Sequence, residues 1–232
     1  MGKAKVAIAR GTHGMIRSST KRQTPKVFGI GFHKTGTSSL GKALKRLGYR
    51  VSGPFGVHDA NTIENVLDVA LEKARHFDAF QDNPWPLLYK ELDARFPGSK
   101  FILTVRSTET WLGSVRRHFA ACETPMRKWI YGAGSPIGNE GRYIEVYEAH
   151  NAAVRAYFAS RPEDLLILDL PAGDGWLKLC NFLDVEVLGG PFVHANSAHS
   201  RESYWRRTVE WCKQTHRRGA THREPAAATQ AS

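Results

Sequence analysis

"GIGFHKTGTSSL", residues 29–40, is the stretch on which the reading of this chain turns. It follows the short apolar run of "KVFGIG" (26–31). It leads into "SSLGKALKRLG", where Leu40, Ala43, Leu44 and Leu47 fall on one helical face. Strand, glycine-flanked turn and helix start, in that order, form the setting of a phosphate-holding loop. The unpaired N–H groups and the positive dipole end at a helix start both favour an anion. Lys34 adds a full charge, and the Thr37 and Ser38 hydroxyls add donors. The order differs from the commonest nucleotide loop, G-x-x-x-x-G-K-[ST], because Lys34 precedes Gly36 instead of following it. An ordinary strand–helix turn with a Ser/Thr cap has much the same composition, so the loop alone does not decide.

Working outward, the chain of 232 residues suits one sizeable domain. Its net charge of +11 is concentrated at the ends. Seven of the 33 Lys and Arg lie in residues 1–26 and six after Trp205, which leaves 20 basic against 20 acidic residues between them. A neutral centre argues against nucleic-acid binding as the main activity. The basic ends, 1–25 and 217–232, read as flexible segments around a domain over 26–216, and could still touch polyanions or anionic lipid. No run is long and apolar enough for a membrane span and no secretory signal is evident, so a soluble cytoplasmic protein is expected. Cys122, Cys180 and Cys212 are few, odd in number and widely spaced, which suggests neither a disulfide framework nor a zinc site. Cys180, within "WLKLCNFL", reads as a buried small hydrophobe. The histidines show no HExxH, and His194 and His199 alone carry little, so no metal is expected.

Strand and helix patterns alternate along the centre. Strands are expected at 26–31, 78–82 ("DAFQD"), 100–105 ("KFILTV") and 164–170 ("DLLILDL"). Helices are expected in "TIENVLDVALEKARHF" with Thr62 or Asn61 at its start, in "PWPLLYKELDARF", in "TETWLGSVRRHF" capped by Thr108, over 141–160, in "GWLKLCNFLD" and over about 201–215. This alternation predicts an α/β fold, a central parallel sheet flanked by helices. Ligands of such sheets gather beyond the carboxyl ends of the strands. That singles out His33 to Ser38, Asp82 to Trp85, Arg106 to Ser114 and Pro171 to Gly175.

A second element favours the phosphate reading. Arg106 follows the strand "KFILTV", and Ser114 stands eight residues later on the next helix. An arginine at a strand end and a hydroxyl from that helix could clamp one phosphate from two sides. Taken singly, Arg106 could equally cap the sheet in an ion pair and Ser114 pack as a small helix residue.

Together, "KTGTS" (34–38) and "RSTETWLGS" (106–114) resemble the sulfotransferase family that uses 3′-phosphoadenosine 5′-phosphosulfate (PAPS). "FDAFQDNPWPLLYKELDARFPGSKFILTVRSTETW" looks like its branch with Asp-containing strand ends, and "LLILDL…GDGWLKLCNFLDV…PFVHAN" resembles its C-terminal strand, helix and Pro-Phe turn. The resemblance spans about Lys26 to Asn196. It implies a P-loop-NTPase-like sheet and sulfuryl transfer from PAPS to an acceptor hydroxyl or amine, with 3′-phosphoadenosine 5′-phosphate (PAP) released and no metal required.

In that reading Lys34, Thr35, Gly36, Thr37 and Ser38 hold the 5′-phosphosulfate, and Arg106 and Ser114 hold the 3′-phosphate. Lys34 also stabilises charge on the leaving group. The family base is a His, Glu or Asp near the second strand; here Asp82 takes that place, with His33 the alternative and His58 and Asp59 more remote. Asp82 could instead only cap the following helix. The C-terminal loop departs from the family's basic form, with Arg201 a possible substitute. Trp85 could line the acceptor pocket, while Trp111 and Trp176 read as packing. The segment 115–160, with Arg116, Arg117, His118, Arg127, Trp129, Tyr131 and Tyr143, suits a glycan or small-molecule acceptor without choosing one. Three rivals remain open: a P-loop kinase or NTPase, a polyanion-binding protein and a nucleotide binder without catalysis.

Overall fold

The computed structural model of the protein describes residues 25–193. The expected helix over 201–215, Arg201 and both basic ends lie outside them.

Five parallel strands form one sheet. They are β1 (Val27–Gly29), β2 (Val51–Ser52), β3 (Ala79–Phe80), β4 (Lys100–Thr104) and β5 (Leu165–Leu168). Their spatial order is β2-β3-β1-β4-β5, which puts β1 at the centre with β3 and β4 on either side. The loops that follow these three strands are therefore neighbours at the carboxyl end of the sheet.

Side chains alternate across the pleat, and each face has its own core. Phe28, Phe80 and Phe101 stand side by side in register, with Phe28 stacked on the other two at 4.8 and 5.5 Å. Ala70 and Ala74 of α3 (Val66–His76), Leu92 of α4 (Tyr89–Arg95) and Val154 of α7 (Glu140–Tyr157) cover that face. Val27, Ala79, Ile102 and Leu166 point the other way. There they meet Leu40 and Leu44 of α1 (Thr37–Arg46) and Leu179 and Cys180 of α8 (Trp176–Leu183). Burial on both faces is why these strands read as unbroken apolar runs.

A third cluster gathers Phe32, Trp111, Val115, Phe119, Tyr131, Tyr143 and Tyr147. It comes from the loop after β1, from α5 (Thr108–Phe119), α6 (Pro125–Tyr131) and α7. Its core of stacked rings, Trp111 on Tyr147 at 4.1 Å and Tyr131 on Tyr143 at 3.9 Å, gives that loop a rigid support.

Several expectations are corrected. The helix expected in "TIENVLDVALEKARHF" is two, α2 (Ala60–Glu64) and α3, broken at Asn65. The cap of α2 is Asp59, whose carboxylate accepts from the Asn61 N–H, rather than Thr62 or Asn61. "PWPLLYKELDARF" opens as a 3₁₀ turn over Trp85–Leu88 before α4, as two early prolines dictate. Ser107, not Thr108, stands before α5. β2 and α6 are additions to the expected elements. Cys180 is buried and free.

Candidate active site

The loop after β1 is built against its neighbours with no space to spare. A Cβ on Gly31 would lie 2.1 Å from the Thr104 hydroxyl and 2.3 Å from its carbonyl oxygen, so only glycine lets the loop cross β4. Lys34 and Gly36 are both left-handed, with φ of 68° and 108°. Such residues curl a backbone into an anion-binding nest of N–H groups. Helix α1 begins immediately afterwards with no side-chain cap and no acid in its first turn. Its leading N–H groups and its dipole thus face the loop without an acid from the helix's own first turn.

The loop's hydroxyls have separate tasks. Thr35 is fully buried and turns inward, its Oγ1 2.6 Å from both the Phe32 carbonyl and the Thr104 hydroxyl. Its hydroxyl is thus spent within the protein, and its backbone N–H makes a long 3.4 Å bond to the same Phe32 carbonyl. Thr37 donates its hydroxyl to Oδ2 of Asp82 at 2.9 Å. Ser38 is exposed at the helix start.

Asp82 follows β3 and is left-handed too, at φ 69°. A non-glycine residue pays for that conformation, and such strain concentrates at functional sites. The turn is held by the Asn83 N–H donating to Oδ1 of Asp82 and by the Trp85 N–H donating to the Asp82 carbonyl. Burial raises the Asp82 carboxyl above its ordinary range, against the opposing pull of the Asn83 N–H, the Thr37 hydroxyl and the Lys34 charge. The loops after β1 and β3 thus bring Lys34, Thr37 and Asp82 together.

His33, the alternative base, is placed beneath the loop. It is 5% exposed, and both ring nitrogens are engaged: Nδ1 lies 2.6 Å from Asn83 Nδ2 and Nε2 lies 3.0 Å from the Tyr131 hydroxyl. Burial, with the nearby charges of Arg127 and Lys34, pushes it well below the ordinary histidine range. It is a neutral imidazole with no nitrogen left to take a proton from an acceptor.

On the other side of β1, Arg106 leaves β4. Its backbone is locked by Tyr147, whose hydroxyl accepts from the Arg106 N–H at 3.1 Å and donates to the Arg106 carbonyl at 2.7 Å. Its Nε donates to Thr110 Oγ1 at 3.0 Å. Ser114 lies one helical turn beyond Thr110, so both stand on the same side of α5. His118, a further turn along, is half-buried and pushed down to about 4 by burial and by the charges of Lys34 and Arg127. His58 lies at the surface, lowered by partial desolvation against its neighbours and by the Arg127 charge, and Asp59 is spent on capping α2. Trp85 is buried in the core below Phe28 and Phe80, its Nε1 donating to the Gly53 carbonyl, and does not line a pocket. Trp111 and Trp176 are buried packing residues.

Asn83 lay within the stretch singled out after the second strand and Tyr131 among the residues expected to suit an acceptor, but the structure buries both against His33, a role the sequence did not indicate. An Asn-Pro pair signals a turn and nothing of the side chain's target, while Tyr131 sits on α6, whose start was marked by Thr124 followed by Pro125. Among the described residues no group of three or more His, Cys, Asp or Glu is arranged to hold a metal, and no helix is long and apolar enough to cross a membrane.

The sulfotransferase domain family matches residues 26–139 and 122–201 of this chain. The chain is also similar to Ava biosynthesis cluster protein M of Aspergillus versicolor, at 28% identity over 233 residues, covering 78% of this chain and 86% of that protein.

Proposed function

This chain belongs to the sulfotransferase domain family, and from that premise we propose that it moves a sulfuryl group from PAPS to a hydroxyl or amine by in-line displacement. The observation that carries the reading is the approach of two loops. The cation and nest of the loop after β1 meet the carboxylate after β3, with Thr37 hydrogen-bonded to Asp82 between them.

The donor fits the residues present. The uncapped start of α1, the Gly36 nest and Lys34 suit a 5′-phosphosulfate, while the locked Arg106 and Ser114 on α5 suit a 3′-phosphate. The donor supplies the activated sulfuryl group. Lys34 stabilises the negative charge that develops on the phosphate oxygen as its bond to sulfur breaks. Asp82 accepts the proton of the acceptor hydroxyl as the new O–S bond forms, and its raised pKa makes it a better base than an ordinary aspartate. The backbone of residues 35–37 and the Ser38 hydroxyl hold the 5′-phosphate in line. Most of the acceleration then comes from positioning and fixed charge. A small-metabolite or carbohydrate acceptor is in keeping with the biosynthesis-cluster name of the Aspergillus relative.

One observation favours a second reading. A loop hydroxyl bonded to a carboxylate from the adjacent strand, as Thr37 is to Asp82, is also how nucleotide kinases place a metal ion. Calorimetric titration with PAP, beside ATP and magnesium, separates the two. We expect micromolar binding of PAP, weakened roughly 10- to 100-fold in Arg106→Ala by loss of a charge-assisted contact. Binding of magnesium-ATP in preference to PAP would move the kinase reading ahead.

A further inference from the structure

His33 precedes Lys34 and Asn83 follows Asp82, and these two neighbours are hydrogen-bonded to each other across 50 residues of chain. The link is fixed on every side. The Tyr131 hydroxyl holds the far nitrogen of His33, and the Trp111 indole donates to the His33 carbonyl at 3.0 Å. The Phe119 ring packs edge-on against the imidazole at 4.8 Å. The Asn83 carbonyl accepts from the Phe55 N–H at 3.2 Å. His33, Asn83 and Tyr131 are all buried. Asn83 Oδ1 has no donor within the protein when Nδ2 faces His33. Turning the amide would give it the Nδ1–H of the other tautomer, and in either orientation the imidazole is neutral and bridged at both ends.

We propose that His33 is a positioning residue: with Asn83 and Tyr131 it forms a buried clamp that holds Asp82, in its left-handed conformation, at a fixed place relative to Lys34 and Thr37. The catalytic part of this role rests on the sulfuryl-transfer reading, because it is there that the cation for the leaving group and the base for the acceptor must be held at one separation. The chemistry of the clamp follows from its location. Lys34 and Asp82 each sit in a backbone conformation that a non-glycine side chain disfavours. Each would relax unless its surroundings over-determine it. A neutral imidazole suits the task better than a charged group, since it bridges two dipoles without introducing a third charge between Lys34 and Asp82. Tyr131 extends the clamp to α6, so the segment beyond α5 is tied to the same point.

The test reads Asp82 directly. The carboxyl ¹³C titration of Asp82, assigned by its loss in Asp82→Asn, is followed in the full-length protein and in His33→Leu, His33→Asn and Tyr131→Phe. In His33→Leu we expect the Asp82 pKa to fall toward the ordinary range as the carboxylate swings to solvent. His33→Asn retains an amide that can bond Asn83 and is expected to restore most of the wild-type titration. A folded His33→Leu with an unmoved Asp82, or a His33→Asn no better than Leu, would overturn the clamp and leave His33 a packing residue. Should His33→Leu not fold, Tyr131→Phe decides, because it removes one hydroxyl and keeps the ring: a shift in the same direction supports the clamp and none overturns it. PAP titration of the wild type, run alongside, judges the functional reading separately, since the Asp82 titration needs neither donor nor acceptor.

Discussion

The Thr37 hydroxyl donates to Oδ2 of Asp82 at 2.9 Å, joining the loop after β1 to the loop after β3. Because the strand order places β3 beside β1, two segments 45 residues apart in the chain meet at the carboxyl end of the sheet. The contact orients the carboxylate while Lys34, three residues before Thr37, supplies the positive charge nearby. It joins the group proposed to take the acceptor's proton to the helix start proposed to hold the donor.

If Asp82 is the base, Asp82→Asn keeps its shape but not its basicity: the amide oxygen can still accept from the Asn83 N–H, while the Thr37 hydroxyl must turn to accept from the amide nitrogen. Turnover, measured as PAP release from PAPS with an acceptor found by screening, should fall by roughly 10²- to 10⁴-fold. PAP affinity should stay near wild type. Because burial raises the Asp82 pKa, the wild-type rate should decline as pH falls through a value above the ordinary 3.8 of a carboxyl group. An acid limb at or below 3.8, or an active Asn variant, would remove Asp82 from the role.

Lys34 is left-handed at φ 68°, a conformation glycine adopts without penalty. Lys34→Ala and Lys34→Gly should both abolish transfer by removing the charge. They should differ in stability, with the Gly variant more stable than the Ala variant by about 1 kcal/mol, the usual steric cost of a Cβ in that region. Denaturant unfolding of the pair checks this. Equal stability would mean that the loop relaxes when the lysine is lost and that the strain is not imposed by the fold.

What was legible in the sequence was local. "KTGTS" and the Arg106–Ser114 spacing could be read because each motif lies within one strand–helix unit, and "KFILTV" because burial on both faces leaves an apolar run. The two-residue β2 between Arg50 and Gly53 was too short to show a period. The break at Asn65 was hidden because apolar spacing continues on both sides of it. The His33 contacts were illegible for a different reason. Their partners stand 50 and 98 residues away, and nothing local distinguishes a bridged, neutral imidazole from a free one beside a lysine. The reach from Asp82 to Thr37 was likewise set by strand order, which alternating patterns do not specify.

Gly31 lies where the loop passes Thr104, and an added Cβ would meet backbone and side chain of that residue at 2.1 to 2.7 Å. No side-chain rotation relieves a clash with backbone atoms of a central strand. Gly31→Ala should therefore destabilise by at least about 3 kcal/mol, the upper end of ordinary overpacking. Gly48→Ala is a contrasting control: its Cβ meets nothing within 4 Å, although its φ of 89° still imposes strain. Thermal unfolding should rank wild type above Gly48→Ala and both above Gly31→Ala. A Gly31→Ala protein as stable as Gly48→Ala would show that β1 and β4 are not held as close as described.

The buried histidines set the behaviour in acid. His150 donates from Nε2 to the Ile30 carbonyl at 2.8 Å, just behind the loop, and is stacked on Phe32 at 4.3 Å. Burial pushes it down to about 4 from an ordinary 6.5. In the unfolded chain it takes a proton as pH falls below 6.5, whereas in the fold it stays neutral until about 4. The unfolded state therefore binds more protons throughout that window, and the sign is fixed: stability is full above 6.5 and lost as pH falls toward 4. Each such group contributes a slope of up to about 1.4 kcal/mol per pH unit. His118, also near 4, acts in the same sense but is less enclosed. Urea unfolding of wild type and His150→Gln between pH 7 and 4.5 should show the variant less stable at pH 7 and less sensitive to acid. Parallel pH curves for the two proteins would mean that His150 titrates normally in the fold and that the support beneath Ile30 and Phe32 is not as described.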